Sequence, residues 1–442
     1  MTDASTPATG TPDAEVVDLC RDLLRIDTSN FGDGSGPGER KAAEYVAEKL
    51  ADVGLETTVF EAAPGRTTVV TRIDGADPAR TDALLLHGHL DVVPADAADW
   101  THDPFSGEIA DECLWGRGAV DMKDMDAMIL SVVRDRVRTG RLPARPLVLA
   151  FLADEEAGGG LGAHWAVDHR PELFDGVTEA ISEVGGFSVT VRDDLRLYLV
   201  ETAQKGIDWM RLTVEGRAGH GSMVSTANAV TELAEAVARV GRYEWPIRLT
   251  PTARAFLEEA GQAFGLEFDP DDPEALLTAL GDAGRIVRAT LRNTANPTML
   301  RAGYKHNVIP GKAEAYIDGR FLPGYEEEFH ATLDSVLGPG VKRESVVHDI
   351  AVETTFDGPL VEAMGEALLA EDPGARTVPY CLSGGTDAKS FSLLGIRNFG
   401  FAPLRLPPGL EFAGMFHGVD ERVPIDGLQF GARVLDRLLD LA

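Results

Sequence analysis

Six side chains in this 442-residue sequence are of the kinds that bind divalent metals or move protons, His89, Asp121, Glu155, Glu156, Glu183 and His417, and four of them, His89, Glu155, Glu156 and Glu183, stand where an apolar run ends. Ala83-Leu-Leu-Leu leads into His87-Gly-His89-Leu-Asp91, which reads as a buried parallel strand stopping on polar groups. Residues 87, 89 and 91 share one strand face. Asp91 can therefore accept a hydrogen bond from one ring nitrogen of His89 while the other nitrogen faces a metal. Taken alone, the segment would equally suit a satisfied core histidine. Pro146-Leu-Val-Leu-Ala-Phe-Leu-Ala-Asp-Glu155-Glu156 repeats the pattern, and Thr178-Glu-Ala-Ile-Ser-Glu183 does so again. Ligands in open α/β sheets sit outside the carboxyl ends of the strands, so three such ends point at one crevice.

Nitrogen and carboxylate donors without thiolate suit zinc, cobalt or manganese. Two histidines and three carboxylates divide into two metals sharing one bridging carboxylate. Such a pair lowers the pKa of a bridging water and polarises a scissile carbonyl. A free carboxylate must then carry the proton from that water to the leaving nitrogen. Glu155, beside the ligand Glu156 at a strand's frayed end, is placed for that.

The elements that must position these groups follow from periodicity and punctuation. Helices are expected at 14–25, 38–53 and from Asp121 to about 139, and strands at 57–62, 67–73 and 83–89. A long irregular stretch over 95–120 separates the last strand from Asp121. The glycine-rich loop after Asp27 lacks the Lys-Ser or Lys-Thr of a phosphate cradle. From about 205 the texture changes to alternating strands, at 207–215, 312–321 and 341–350, with helices at 226–241, 252–288 and 325–337. That order suits a separate α+β domain. A helix at 360–369 and short segments carrying Thr386 and His417 then resume. Residues 1–12 read as a disordered tail.

A formal charge of −31 would repel phosphate backbones and anionic membranes, so neither nucleic acid nor membrane is an expected partner. No apolar run reaches the ~20 residues of a membrane span, and no secretory signal is evident; a cytoplasmic location is expected. Cys20, Cys113 and Cys381 are widely spaced and read as reduced, mostly buried thiols.

The strings His89-x-Asp91, Gly-Arg-Gly-Ala-x-Asp121-Met-Lys, Asp-Glu155-Glu156, Ser-Glu183 and Phe-His417-Gly resemble those of the dinuclear-zinc metallopeptidases that include aminoacylase, acetylornithine deacetylase, succinyl-diaminopimelate desuccinylase and glutamate carboxypeptidase. The resemblance spans nearly the whole chain. It implies that Asp121 bridges the metals, that His89 and Glu183 complete one site and Glu156 and His417 the other, and that Glu155 is the general base. It also implies a cis peptide after Asp121. The fold implied is an α/β catalytic domain with a central mixed sheet flanked by helices, over 13–204 and 353–442, interrupted at 205–352 by an α+β, ferredoxin-like lid used for dimerisation.

Within the lid, His220 resembles the histidine that steadies the developing oxyanion in the neighbouring subunit's site, and Asn307 and Arg320 resemble substrate-binding residues. Without the resemblance, His220 would read as a turn residue and Arg320 as half of an ion pair. Gly385 and Thr386 resemble a loop that grips a substrate carboxylate through backbone amides. Asp124 and Met125 stand where the family often has glycines, and either narrow the site or face solvent. Glu183, where the carboxypeptidase branch has aspartate, leans toward deacylation.

The expected activity is hydrolysis of an amide or peptide bond in a small carboxylate-bearing substrate, an N-acyl-amino acid or dipeptide, by a homodimer holding two divalent ions, zinc before cobalt or manganese. The alternative is a metal-dependent binding protein or dimeric scaffold of the same fold that has lost catalysis. Glu155 weighs against it, because that residue adds no metal ligand and serves chiefly for chemistry.

Overall fold

The computed structural model describes residues 11–442, so the first ten residues of the expected tail lie outside the described residues. The chain forms two compact units, one comprising residues up to Glu201 with Phe356–Pro379 and Thr386–Ala442, the other Thr202–Thr355 with Tyr380–Gly385.

In the first unit a mixed sheet runs in the order Thr58–Ala63, Arg66–Ile73, Leu147–Leu152, Ala83–His89, Val177–Ser182 and Arg397–Gly400. The outer strands pair antiparallel, while the four from Leu147–Leu152 to Arg397–Gly400 run parallel. Leu147–Leu152 and Ala83–His89 are buried along their whole length, as a near-continuous apolar run requires when a parallel sheet is covered on both faces. Their register sets His89 level with Leu152, so the polar residues that follow both strands emerge at the same end of the sheet.

Helix Lys123–Thr139 packs against the sheet and against helices Val16–Leu24 and Ile425–Leu441, which is why every residue from Lys123 to Arg136 is buried. Gly140 ends it in the left-handed conformation that a C-terminal glycine adopts without steric cost. The opposite face of the sheet carries Leu85, Val148, Ala150 and Leu152 against Ala163, Val167, Phe174 and Phe391.

Two features depart from the periodicity-based expectation. The long stretch over 95–120 is not wholly irregular: Glu108–Ala110 and Cys113–Trp115 form a small antiparallel sheet with Arg422–Pro424. Strands of three residues are too short to show a period. Phe187–Arg192 and the strand starting at Leu195 form a hairpin beyond the expected elements.

The second unit holds a four-stranded antiparallel sheet ordered Thr294–Ala302, Lys312–Phe321, Gly206–Glu215, Lys342–Asp349. Helices Ala229–Arg242 and Glu326–Leu337 cover one face, and the chain order is strand, helix, strand, strand, helix, strand, with three more helices, Pro251–Phe264, Pro273–Ala279 and Asp282–Arg288, inserted before the second strand where one helical stretch over 252–288 was expected. Lys312–Phe321 buries every second residue, with Ala313, Ala315, Ile317 and Phe321 in the core. The helix Asp282–Arg288 closes the stretch over 252–288. Among the described residues no helix is long and apolar enough to cross a membrane.

Candidate metal centre

His89 closes its strand and is almost wholly buried. Its Nε2 lies 3.1 Å from Asp121 Oδ1, 3.6 Å from Glu183 Oε2 and 3.9 Å from Glu155 Oε2. The second oxygen of Asp121 lies 3.3 Å from His417 Nε2, which is itself 3.1 Å from Glu156 Oε2. Two donor triads result, His89–Asp121–Glu183 and Asp121–Glu156–His417, in each of which one atom per residue lies within 4.8 Å of the others. Asp121 is common to both and presents one oxygen to each histidine. Either triad is of a composition that could hold a divalent cation.

The loop carrying Asp121 is fastened by a residue that no motif singles out. Glu421, fully buried, accepts hydrogen bonds from the backbone N–H of Gly118, Val120 and Asp121 at 3.0, 2.7 and 3.1 Å, and pairs with Arg117 at 2.7 Å. The peptide between Asp121 and Met122 is cis, and the helix begins at Lys123 rather than at Asp121.

Glu155 and Glu156 open a single 3-10 turn, Glu155–Ala157. Here the expectation for Asp91 needs correction. His89 Nδ1 donates to the backbone carbonyl of Asp91 at 2.9 Å, and the Asp91 carboxylate stands 3.6 Å away from that nitrogen. The carboxylate instead accepts the N–H groups of Glu155 and Glu156, each at 3.1 Å, and Asn30 Nδ2 at 2.9 Å. Peptide N–H groups at the start of the turn are stronger claimants because helical geometry leaves them without partners. Asp91 thus supports His89 through its main chain and the two glutamates through its side chain.

Asn30, also unforeseen, sits behind this junction. Its other amide hydrogen goes to Asp154 Oδ1 at 3.1 Å, and its carbonyl accepts Arg66 Nη2 at 2.9 Å. Arg66 is paired in turn with buried Glu39. No spacing rule links residues 30, 66, 91 and 154, so only the fold could reveal them. Glu156 Oε1 takes the N–H of Val93 at 3.2 Å, which leaves Oε2 toward His417.

Four carboxylates gathered on two imidazoles leave excess negative charge. Burial, with repulsion from Glu183, pushes Glu155 well above the usual carboxylate range, and burial raises Glu183 to about 7. Hydrogen bonds to Asp121 and Glu156 raise His417 to about 10. Burial opposes charge on His89, yet Glu183 and Asp121 hold its pKa well above the ordinary value. Two cations would neutralise the same groups, so the donor set fits divalent ions on charge as well as on type.

The remaining expected residues fall as follows. Asp124 and Met125 are buried, so they do not face solvent. Thr386 Oγ1 accepts the N–H of Ala388 at 3.2 Å at the start of helix Ala388–Ser392. Gly385 belongs to the second unit. There, His220 pairs with Val308 in a two-residue ladder, and its Nδ1 lies 2.8 Å from Ser222 Oγ. The carbonyl of Asn307 accepts the N–H of Gly221 at 2.9 Å, so Asn307 adjoins the short ladder that holds His220. Arg320 is paired with Asp318 through Nε at 2.6 Å, the ion-pair arrangement open to it from sequence.

Comparison with known families matches residues 85–441 to peptidase family M20/M25/M40. The chain belongs to that family. It is 27% identical to pig (Sus scrofa) aminoacylase-1 over 415 residues, covering 92% of this chain and 90% of the relative. Among solved structures it resembles the family M20 metallo-carboxypeptidase Sso-CP2 of Sulfolobus solfataricus, with a TM-score of 0.72 at 18% identity, covering 97% of this chain and 99% of the other. A dinuclear metal binding M20 peptidase of Bacillus subtilis matches with a TM-score of 0.62 at 13% identity, covering 97% of each chain. The central mixed sheet flanked by helices is the M20 peptidase fold, and the chain is an M20 hydrolase of the metallopeptidase and amidohydrolase kind.

Proposed function

We propose that this M20 hydrolase cleaves the amide or peptide bond of a small substrate bearing a free carboxylate, an N-acyl-amino acid or a dipeptide, with two divalent ions and Glu155 as general base. The observation that carries the reading is the division of the acidic residues. Asp121, Glu156 and Glu183 belong to the two donor triads, while Glu155 belongs to neither and still reaches within 3.9 Å of His89 Nε2.

His89, Asp121 and Glu183 would hold one ion, and Asp121, Glu156 and His417 the other, zinc being the first candidate. Bound there, two such ions would supply Lewis acidity for the carbonyl and make water acidic near neutral pH. Glu155 takes the proton from the attacking water and returns it to the leaving nitrogen, since an amine leaves only once protonated. Burial and the neighbouring Glu183 raise its affinity for a proton, which suits a carboxylate that must first take one from water. Asp91 and Glu421 act only through position, the first on the Glu155 turn and the second on the Asp121 loop.

By family resemblance, residues 205–352 form a lid that pairs two subunits. The resemblance also gives His220 the role of an oxyanion donor to the partner's site, Asn307 and Arg320 the role of binding substrate, and Gly385 and Thr386 that of gripping its carboxylate. A cytoplasmic location goes with this reading. Substrate class is tested by assaying N-acetyl and N-succinyl amino acids and dipeptides with zinc, cobalt and manganese in turn; no turnover of any with any metal would sink the hydrolytic reading. Subunit sharing has its own test. Glu155→Gln and His220→Ala proteins, each inactive alone, are mixed until subunits exchange. Random pairing gives half mixed dimers with one intact site each, so activity returns to roughly a quarter of wild type under two-fold symmetry. Exchange without recovery would remove the shared site.

A further inference from the structure

The second unit carries a donor cluster that the reaction leaves unused. Glu326 and His330 stand one turn apart on helix Glu326–Leu337, on the same face, and His348 comes from strand Lys342–Asp349. His348 Nε2 lies 2.7 Å from Glu326 Oε1, and His330 Nε2 lies 3.7 Å from the same oxygen. One donor atom from each of the three lies within 4.8 Å of the others.

A hydrogen bond between Glu326 and His348 accounts for those two residues but not for His330. The Nδ1 of His330 is buried and has no hydrogen-bond partner. It is directed at Asp208 Oδ2, 3.7 Å away, and Asp208 is itself almost wholly buried, with its other oxygen accepting Ser345 Oγ at 2.6 Å. Arg343 Nη1, 3.6 Å from Asp208 Oδ2, offsets its charge. An imidazole that binds a cation through Nε2 carries its proton on Nδ1, and a carboxylate behind that proton is the common support for a metal-binding histidine. Phe321 is fully buried beneath both imidazoles, its ring centroid 6.1 Å from that of His330 and 5.9 Å from that of His348, and this limits how the two rings turn.

We propose that Glu326, His330 and His348 form a mononuclear site for a borderline divalent cation such as zinc, cobalt or nickel, with Asp208 orienting His330. The absence of thiolate and the presence of two imidazoles exclude neither zinc nor nickel and disfavour the hard ions magnesium and calcium. Tetrahedral ligands about 2.0–2.1 Å from zinc sit about 3.3 Å apart, so Glu326 and His348 must part slightly and His330 must draw in. Three protein ligands leave one position for water. A bound ion would tie the helix to the sheet's outer strand and so stabilise the second unit.

The test uses the full-length protein, stripped with a chelator and re-equilibrated with Zn²⁺, beside the His330→Gln/His348→Gln double variant. Wild type is expected to hold one equivalent more zinc than the variant, with the same turnover. Titration with Co²⁺ should show an added absorption component that the variant lacks. Because His348 is exposed, His348→Gln alone serves if the double variant does not fold, and it should lose the same equivalent on dialysis. Equal zinc content in wild type and variants would overturn the proposal and leave the cluster a hydrogen-bonded pair. Loss of turnover together with the metal would overturn it too, since the ion would then belong to the reaction.

Discussion

Each unit holds a cluster of imidazole and carboxylate, and the two are built by different means. The second unit's cluster comes from a regular helix and a regular strand, with Glu326 and His330 at helical spacing and His348 across from them. The first unit's centre comes from strand ends and loops. His417 has φ 57°, Asp154, which precedes the glutamate pair, has φ 68°, and Val184, which follows Glu183, has φ 51°. Residues other than glycine seldom adopt that region. Regular periodicity can set three donors on one face at little cost. Bringing donors from four segments around one shared aspartate requires loops held in unusual shapes, and here buried carboxylates that bind peptide N–H groups hold them. Asp91 fastens the glutamate turn and Glu421 the aspartate loop.

The contrast is sharpened most by changing the one acid that no triad uses. Glu155→Gln is expected to lower kcat by ~10²–10⁴ while leaving metal content unchanged, because it removes a proton carrier and no ligand. Glu156→Gln should lower both, and identical losses of metal in the two variants would show that their roles are merged. Glu421→Ala attacks the fastening instead. It strands Arg117 in the interior and frees three N–H groups, at a cost of roughly 3–5 kcal/mol. Chemical denaturation should record that loss, and activity should fall because the Asp121 loop is no longer held. A variant as stable as wild type would refute the role given to Glu421.

The smallest effect expected concerns pH in the chelated protein. His417 is raised to about 10 by Asp121 and Glu156, against an ordinary value of 6.5. A raised imidazole binds its proton more tightly when folded, so its contribution is full below 6.5 and is lost as pH rises through about 10. The unfolding midpoint of metal-free protein should therefore decline across that window. The decline is modest because the side chain is half-exposed, and His417→Ala should flatten it. Metal loading should abolish it, since bound histidine carries no proton on the ligating nitrogen.

Much of the centre is legible in the sequence because its parts sit at breaks in pattern. An apolar run ending in His89, or in Glu155 and Glu156, departs from what a buried strand needs, and such departures are visible one segment at a time. The supports are not. Asn30 looked like one polar residue in a glycine-rich loop, and Glu421 like one acid among 72 acidic residues. Each acts through peptide N–H groups, which every residue offers and no sequence distinguishes. Asp91 shows the limit within a single motif: alternation set it on the face of His89, but its carboxylate turned to the unpaired N–H groups of a turn 64 residues further on.

The sequence by itself determined the types of the longer elements, the end of the sheet at which the chemistry gathers and the donor kinds, because hydrophobic period and residue chemistry are local properties. Which oxygen of Asp121 meets which histidine, what holds Glu155 apart from the two triads, and that Asp208 stands behind His330 were decided only in the tertiary structure. Those relations depend on distances between segments up to 300 residues apart, such as Asp121 and Glu421, and packing alone sets them.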